Sequence, residues 1–289
     1  MSATAPPPAR YFPVKGTPLR MEAGLKPLAT SFGNGTRDAL PFQVDDQRGR
    51  YLEAKRKVPA HRHRVLARGP DDERTHREVL AWMRSTLRRD HSEVFAAQPL
   101  DTYEAIGARI QEDFAVLGRA SGPGEAIAVH VSFPSGWRPE RIAGASFREI
   151  HAPVPAFADV DAQSESMVRA MVERGPYIRF VWTICADDHL DHHPEEGLRE
   201  SWRRDGPGWL RVERQVTVPF PAIDASLFLI RTYLYPFASL TADERSVLAR
   251  ALEALPNEVR RYKGLEGPPT ETALAQLRGF AAGQTTPTT

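Results

Sequence analysis

The chain has 289 residues, of which 41% are hydrophobic and 26% are charged, a composition typical of a globular protein with a substantial core. Its 38 Lys and Arg against 37 Asp and Glu give a formal net charge of +1, so no overall field attracts nucleic acid or an anionic membrane. The single cysteine excludes an internal disulfide and a four-thiolate iron–sulfur cluster, so redox chemistry would need a separate cofactor.

The two ends of the chain are rich in Pro, Thr and small residues, which predicts disordered tails at residues 1–9 and 281–289. The prolines between them are dispersed rather than massed in a linker, so residues 10–280 are expected to form one domain. The N-terminus lacks the pattern of a secretory signal, and no apolar stretch reaches the roughly 20 residues of a membrane span. We therefore expect a cytoplasmic protein.

Two early segments carry charge or glycine patterns. Gly33 and Gly35 begin like a dinucleotide fingerprint, but Asp38 occupies the third glycine position, so we predict a turn. Between Arg48 and Arg68 there are eight Lys or Arg residues and one acid. This strip is interpreted as a solvated face, with a patch that docks a partner as the alternative.

Four helices are predicted from apolar spacing and capping signals. The first covers Asp72–His91, and the second follows Asp101 and places on one face Ile106, Ile110, Phe114 and Leu117. The third covers Asp159–Arg174, and the fourth begins with a capping box at Thr241 and ends before Pro256.

Four strands are predicted from Val, Ile, Phe and Tyr content: Ala126–Phe133, Tyr177–Cys185, Leu210–Phe220 and Ser226–Tyr235. The last two have the spacing of a hairpin. Arg214 interrupts the apolar face of its strand, and Arg179 and Arg231 alternate with apolar residues, so each buried guanidinium needs an anionic partner. Helices grouped around these strands predict an α+β fold with an antiparallel sheet.

Common nucleotide, serine-hydrolase and zinc-protease motifs are absent from the sequence. The stretch DDHLDHHP carries His189, His192 and His193 and is interpreted as a polar surface loop. A divalent metal site is the alternative, although this loose spacing gives it weak support.

Several motifs occur in collinear order from about residue 10 to residue 263. They include FPSGW from Phe133, IHAPVP from Ile150, IQEDFAVL from Ile110, ERQ from Glu213 and IRTY from Ile230. Together with RYFPVK, LKPL, FGN and FQVD nearer the start, they resemble the haem-dependent oxidative N-demethylase alpha-subunit-like family.

The resemblance implies a PAS-like haem-binding fold and a monooxygenase that uses haem b and O2. Such an enzyme oxidises a small amine to a smaller amine and formaldehyde. Since the chain lacks a dinucleotide fingerprint and iron–sulfur cysteines, electrons from NAD(P)H would arrive through separate flavin and ferredoxin-like partner subunits.

His151 is the candidate axial ligand of the haem iron, because imidazole suits iron and Pro153 and Pro155 restrict the backbone beside it. The alternatives are His130, in the apolar strand, and the thiolate of Cys185. The alternative interpretation of His151 itself is a hydrogen-bonded core histidine.

Arg179, Arg214 and Arg231 are candidates for pairing with the haem propionates, because guanidinium groups bind carboxylates bidentately. Structural salt bridges from these arginines to Glu213 or Asp113 are equally compatible with the sequence.

Glu213 is the first candidate for binding a cationic amine, with Glu112 and Asp113 as alternatives. Tyr233 is a candidate hydrogen-bond donor to iron-bound oxygen or substrate, or a packed core residue. Val181 stands where the family usually has Asn. This departure leaves open a haem-free member acting on an amine-bearing metabolite, or a non-catalytic haem or ligand sensor.

Overall fold

The computed structural model describes residues 5–16, 24–118, 124–155, 164–196, 202 and 206–279. Within these residues, seven strands form one sheet in the order β1-β5-β6-β7-β3-β4-β2, with every neighbouring pair antiparallel. The strands are β1 Lys26–Pro27, β2 Arg64–Val65, β3 Asp113–Gly118, β4 Glu125–His130, β5 Tyr177–Cys185, β6 Trp209–Phe220 and β7 Ala225–Pro236. The predicted α+β class with an antiparallel sheet is confirmed.

The centre of the sheet is the long hairpin formed by β6 and β7. The turn Pro221–Ile223 leads into Asp224, whose φ of 49° is in the left-handed region that aspartate tolerates better than most residues. The predicted hairpin is confirmed, and β5 has the bounds that its Val, Ile and aromatic content predicts.

Helices precede, interrupt and follow the strands. Those in the described residues are Arg48–Lys57, Pro70–Asp90, Ser92–Phe95, Tyr103–Gly107, Phe147–His151, Ser164–Glu173, Ala242–Glu253, Asn257–Tyr262 and Pro268–Gly279. The capping box predicted at Thr241 is confirmed: its hydroxyl accepts from the Glu244 amide, and the Glu244 carboxylate accepts from the Thr241 amide. The first predicted helix is also confirmed, over Pro70–Asp90.

The second predicted helix is much shorter than its apolar spacing suggested. It ends at Gly107, and Phe114 and Leu117 lie on β3. A Cβ at residue 107 would lie 2.2 Å from the ring of His130, so close packing against β4 requires glycine there. Both faces of β3 are buried, which removes the alternation that marks a strand in sequence.

The two faces of the sheet are covered unequally. One face carries Ile178, Val216 and Leu229, which are at most 1% exposed and belong to an apolar cluster that includes the helix Pro70–Asp90. We call the opposite face, which carries Arg179, Gln215 and Ile230, the Arg179 face. These three side chains are only half-buried, although the helix Ser164–Glu173 contacts β6 and β7.

Residues 5–9, within the predicted N-terminal tail, make defined contacts. The carbonyl of Pro6 accepts from the Asp46 amide at 2.9 Å, and Ala9 is 2% exposed. The predicted C-terminal tail lies outside the described residues. Among the helices that the structure describes, none is both long enough and apolar enough to cross a membrane.

Candidate functional site

His151 is the last residue of the helix Phe147–His151, which begins with a capping box between Ser146 and Glu149. Its Nδ1 lies 2.8 Å from the carbonyl oxygen of Phe147. Because a carbonyl only accepts, Nδ1 carries the proton and the lone pair is on Nε2, the atom that would bind a metal. Burial and the charge of Arg179 lower the pKa of His151, which favours the neutral ring that iron binding requires.

Arg179 lies on β5, directly opposite Gln215 of β6, and its charge reaches His151. Burial lowers the pKa of Arg179, and the nearby charge of Glu213 offsets part of that effect. The guanidinium makes no ion pair or hydrogen bond with any residue that the structure describes. A half-buried guanidinium without a bonded partner is a suitable anchor for the carboxylate of a ligand.

Glu213 occupies the centre of the Arg179 face, between Val181 on β5 and Thr232 on β7. One carboxylate oxygen of Glu213 accepts a hydrogen bond from the side-chain Nε2 of Gln215 at 3.1 Å. The other lies 3.9 Å from Nε of Arg211. The side chain of Glu213 is 16% exposed, so its charge is within reach of a ligand. The sheet register therefore places Arg179 and Glu213 on one face, and the charge of Arg179 reaches His151 beside it.

Arg214 and Arg231 are directly opposite each other on β6 and β7, on the other face of the sheet. Arg214 donates to the carbonyl oxygens of Leu40 and Pro41, at 2.7 and 3.1 Å. Arg231 is fully buried and pairs with Asp45 at 2.8 Å. The buried arginine thus has the anionic partner that the sequence required, but this partner is neither Glu213 nor Asp113. The sheet separates both arginines from the Arg179 face.

Tyr233 lies on the same face as Arg231 and donates its hydroxyl hydrogen to the Gln43 side-chain oxygen. Burial raises the pKa of Tyr233 well above its usual value, so the phenol stays protonated. These contacts, like those of the two arginines, join the sheet to the segment around residues 40–51. The structure thus assigns other partners to three residues for which haem or oxygen roles are predicted.

The consecutive polar residues Gln111, Glu112 and Asp113 are each at most 2% exposed and also bind the N-terminal part of the chain. Glu112 accepts from the Gln43 amide at 2.9 Å, and Asp113 pairs with Lys55 at 3.1 Å. Both acids predicted as alternative amine ligands are therefore engaged in buried contacts. In the sequence, the run of three polar residues between apolar ones in IQEDF indicates such buried polar contacts.

The two other candidate axial ligands are placed unfavourably. His130 is 5% exposed and lies with Phe114 on the face opposite Arg179, stacked on His63 with ring centroids 3.7 Å apart. Burial raises the pKa of the Cys185 thiol to about 12, and this thiol donates to the carbonyl oxygen of Asp187. A thiolate is therefore disfavoured there.

The stacked pair of His63 and His130 predicts acid sensitivity. Burial lowers the pKa of His63 and lowers that of His130 further, so both rings are neutral in the folded protein. As the pH falls below about 6.5, both histidines become protonated in the unfolded chain while they stay neutral in the folded chain. The free energy of unfolding therefore falls. We expect urea titrations at pH 7.5 and 5.5 to show this loss, at most about 1.4 kcal/mol per pH unit for each histidine.

The variant His130→Gln should flatten this pH dependence, because it removes the group with the larger pKa shift. The exposed His189 provides the matched control, since His189→Gln should leave the slope of the wild type. If the free energy of unfolding depends on pH equally in wild type and in His130→Gln, His130 is not the cause of the acid sensitivity.

Two histidines of the DDHLDHHP loop bind carboxylates rather than a common centre. His192 lies 2.9 Å from Asp187, and His193 lies 3.3 Å from Glu140. Across the described residues, no three potential ligands gather as a metal site would require. The metal-site alternative therefore lacks support in this part of the chain.

The same loop supports the FPSGW motif. The His192 amide donates to the carbonyl of Pro134, and its carbonyl accepts from the Gly136 amide. Arg211, fully buried on the Arg179 face, donates to the carbonyls of Leu190 and Phe133 at 2.9 and 2.7 Å. Sequence reasoning missed Arg211, because its strand position predicted only a polar face.

Fold and site together define an α+β protein with a candidate ligand site on a partly covered sheet face, where the charge of Arg179 acts on the imidazole of His151 and interacts with Glu213. Residues 96–269, more than half of the chain, match the family described as haem-dependent oxidative N-demethylase, alpha subunit-like. The chain belongs to this family. The matched region contains β3 to β7 and His151.

Proposed function

We propose that the chain is the haem-binding subunit of a monooxygenase that removes an N-methyl group from a small amine. The observation that carries this proposal is that a neutral imidazole, on His151, lies close enough to feel the charge of Arg179, whose guanidinium has no bonded partner among the described residues. A neutral imidazole ligand and a cation for a propionate are two of the groups that haem b needs from a protein. The chemistry of these two side chains fits the group, and an apolar space for the porphyrin and a PAS-like relation of the fold are part of the proposal.

In this proposal each residue has a separate task. His151 would hold the iron, Arg179 would pair with a propionate, and haem would supply the activation of O2. Glu213 would bind the substrate ammonium, since amines are cationic near neutral pH. Val181 and Ile230, the apolar neighbours of Glu213 on the Arg179 face, would exclude water and strengthen that ion pair.

Removing the His151 imidazole tests the proposal. Purified wild-type protein reconstituted with haem should show a Soret band that shifts on reduction and on CO binding. In His151→Ala we expect this band to be lost or strongly weakened, because the iron loses its axial nitrogen. The control is His130→Gln, which removes the other candidate imidazole and should retain the spectrum.

Two results would overturn the assignment: an unchanged spectrum in His151→Ala, or loss of the band in His130→Gln alone. Amine-dependent O2 consumption by the reconstituted protein with an electron donor separates an enzyme from a haem sensor. Haem binding without such consumption would reject the catalytic part of the proposal.

A further inference from the structure

Three exposed arginines lie on the edge strand β2 or on segments beside it. Arg56, Arg64 and Arg141 are exposed, and none has an ion pair among the residues that the structure describes. Their sequence neighbours differ: Lys57 pairs with Glu53, and Arg68 pairs with Glu125. The strip interpreted from sequence as simply solvated thus contains exposed guanidiniums that make no ion pair with the described residues.

Chain packing brings together the segments that carry these arginines. The turn Ala60–Arg62, between Arg56 and Arg64, contacts the turn Pro139–Arg141. Arg62 fixes the first turn, since its buried guanidinium lies 2.6 Å from Asp191. We call the surface formed by Arg56, Arg64, Val65 and Arg141 the basic edge.

The basic edge also has an apolar centre. Val65 on β2 is 42% exposed, one of only two large apolar side chains that the described residues leave this open. Arginines around an exposed apolar residue are typical of protein interfaces, where arginine is enriched and an apolar contact is desolvated. The position of β2 at the edge of the sheet further favours contact with another protein.

The basic edge is connected to the proposed haem site through one apolar cluster. Ile142 follows Arg141 and packs in the same apolar cluster as Phe147 and Ile150. The carbonyl of Phe147 is the group that accepts the hydrogen bond from His151. A partner bound at the basic edge would therefore rest beside the wall that supports this histidine.

The proposed reaction requires an electron donor that this chain does not contain. One N-methyl group, one O2, two electrons and two protons give the demethylated amine, formaldehyde and water. The chain has one cysteine, so it holds no iron–sulfur centre of its own. We infer that the basic edge docks an acidic iron–sulfur protein that delivers these electrons, an inference that rests on the proposed function.

The test measures binding of an acidic plant-type [2Fe–2S] ferredoxin to immobilised full-length protein by biolayer interferometry at 20 and 300 mM NaCl. Arg56→Glu/Arg64→Glu should weaken binding at least tenfold at low salt, because charge complementarity governs such encounters. The control Lys26→Glu/Arg174→Glu makes the same charge change; Lys26 lies on β1, at the opposite edge of the sheet, and both residues are exposed. It should stay within twofold of wild type.

Equal weakening in both variants, or binding that salt does not change, would overturn the inference. So would duplex DNA or phosphatidylserine vesicles binding the basic edge as tightly as the ferredoxin does. The Soret band, recorded on the same preparations, reports separately on the proposed function: its absence in wild type rejects haem binding, whereas the interferometry still decides the docking surface.

Discussion

Replacing Asp45 with alanine is expected to lower the free energy of unfolding by about 3–5 kcal/mol, the usual result of stranding a buried charge. The charge left behind is Arg231, fully buried and 2.8 Å from Asp45 in the native protein. Its guanidinium also lies 4.0 Å above the ring of Tyr51, so it has no route to solvent without moving the helix Arg48–Lys57. Equilibrium urea unfolding of wild type and Asp45→Ala measures the difference.

Two controls establish that burial causes this loss. Glu78→Ala breaks the exposed pair with Arg74 and should cost less than about 0.5 kcal/mol. The double variant Asp45→Leu/Arg231→Met should recover most of the loss, because apolar side chains can replace a buried ion pair. If Asp45→Ala lowers the free energy of unfolding no more than Glu78→Ala does, the ion pair between Asp45 and Arg231 does not stabilise the fold.

Glu213→Gln is expected to lower kcat/KM for the amine about 10- to 150-fold, the equivalent of a lost charge-assisted hydrogen bond of about 1.5–3 kcal/mol. The amide keeps the size of the side chain and can still bond Gln215, but it no longer offers a negative charge to an ammonium. The measurement is amine-dependent O2 consumption, with the Soret band recorded to show that haem content is unchanged.

The matched control is Glu112→Gln, at the acid that competes with Glu213 as the amine ligand. Glu112 is 1% exposed and accepts from the Gln43 amide, a bond that glutamine can also make. The kcat/KM of Glu112→Gln should remain within about threefold of the wild-type value. A larger effect at Glu112 than at Glu213 would transfer the amine site to the buried acid.

The parts of the fold that could be predicted are those with strong local signals. The hairpin, β5 and the capping box at Thr241 depend on alternation, aromatic content or side-chain bonds within four residues. The second helix could not be predicted correctly, since its apolar residues matched a helical period by chance across the turn after Gly107. Only contact with His130, distant in sequence, shows why the helix ends there.

The candidate site could be predicted in part. Because side chains alternate between the two faces along β6, the sequence already places Glu213 and Arg214 on opposite faces. The pairing with β5 then places Arg179 on the same face as Glu213. Register between strands depends on tertiary packing, so sequence alone did not distinguish Arg179 from the arginines on the other face. The partners of those arginines come from residues 40–45, far from β6 and β7 along the chain.

The dependence of the sheet on its N-terminal segment limits how this protein can be shortened. The region that matches the family begins at residue 96, yet Arg214, Arg231 and Asp113 find their bonding partners between Leu40 and Lys55. Residues 96–269 alone would lack these partners and also the helix Pro70–Asp90, which covers one apolar face of the sheet, and we expect such a fragment to aggregate. A minimal soluble version must begin upstream of residue 40.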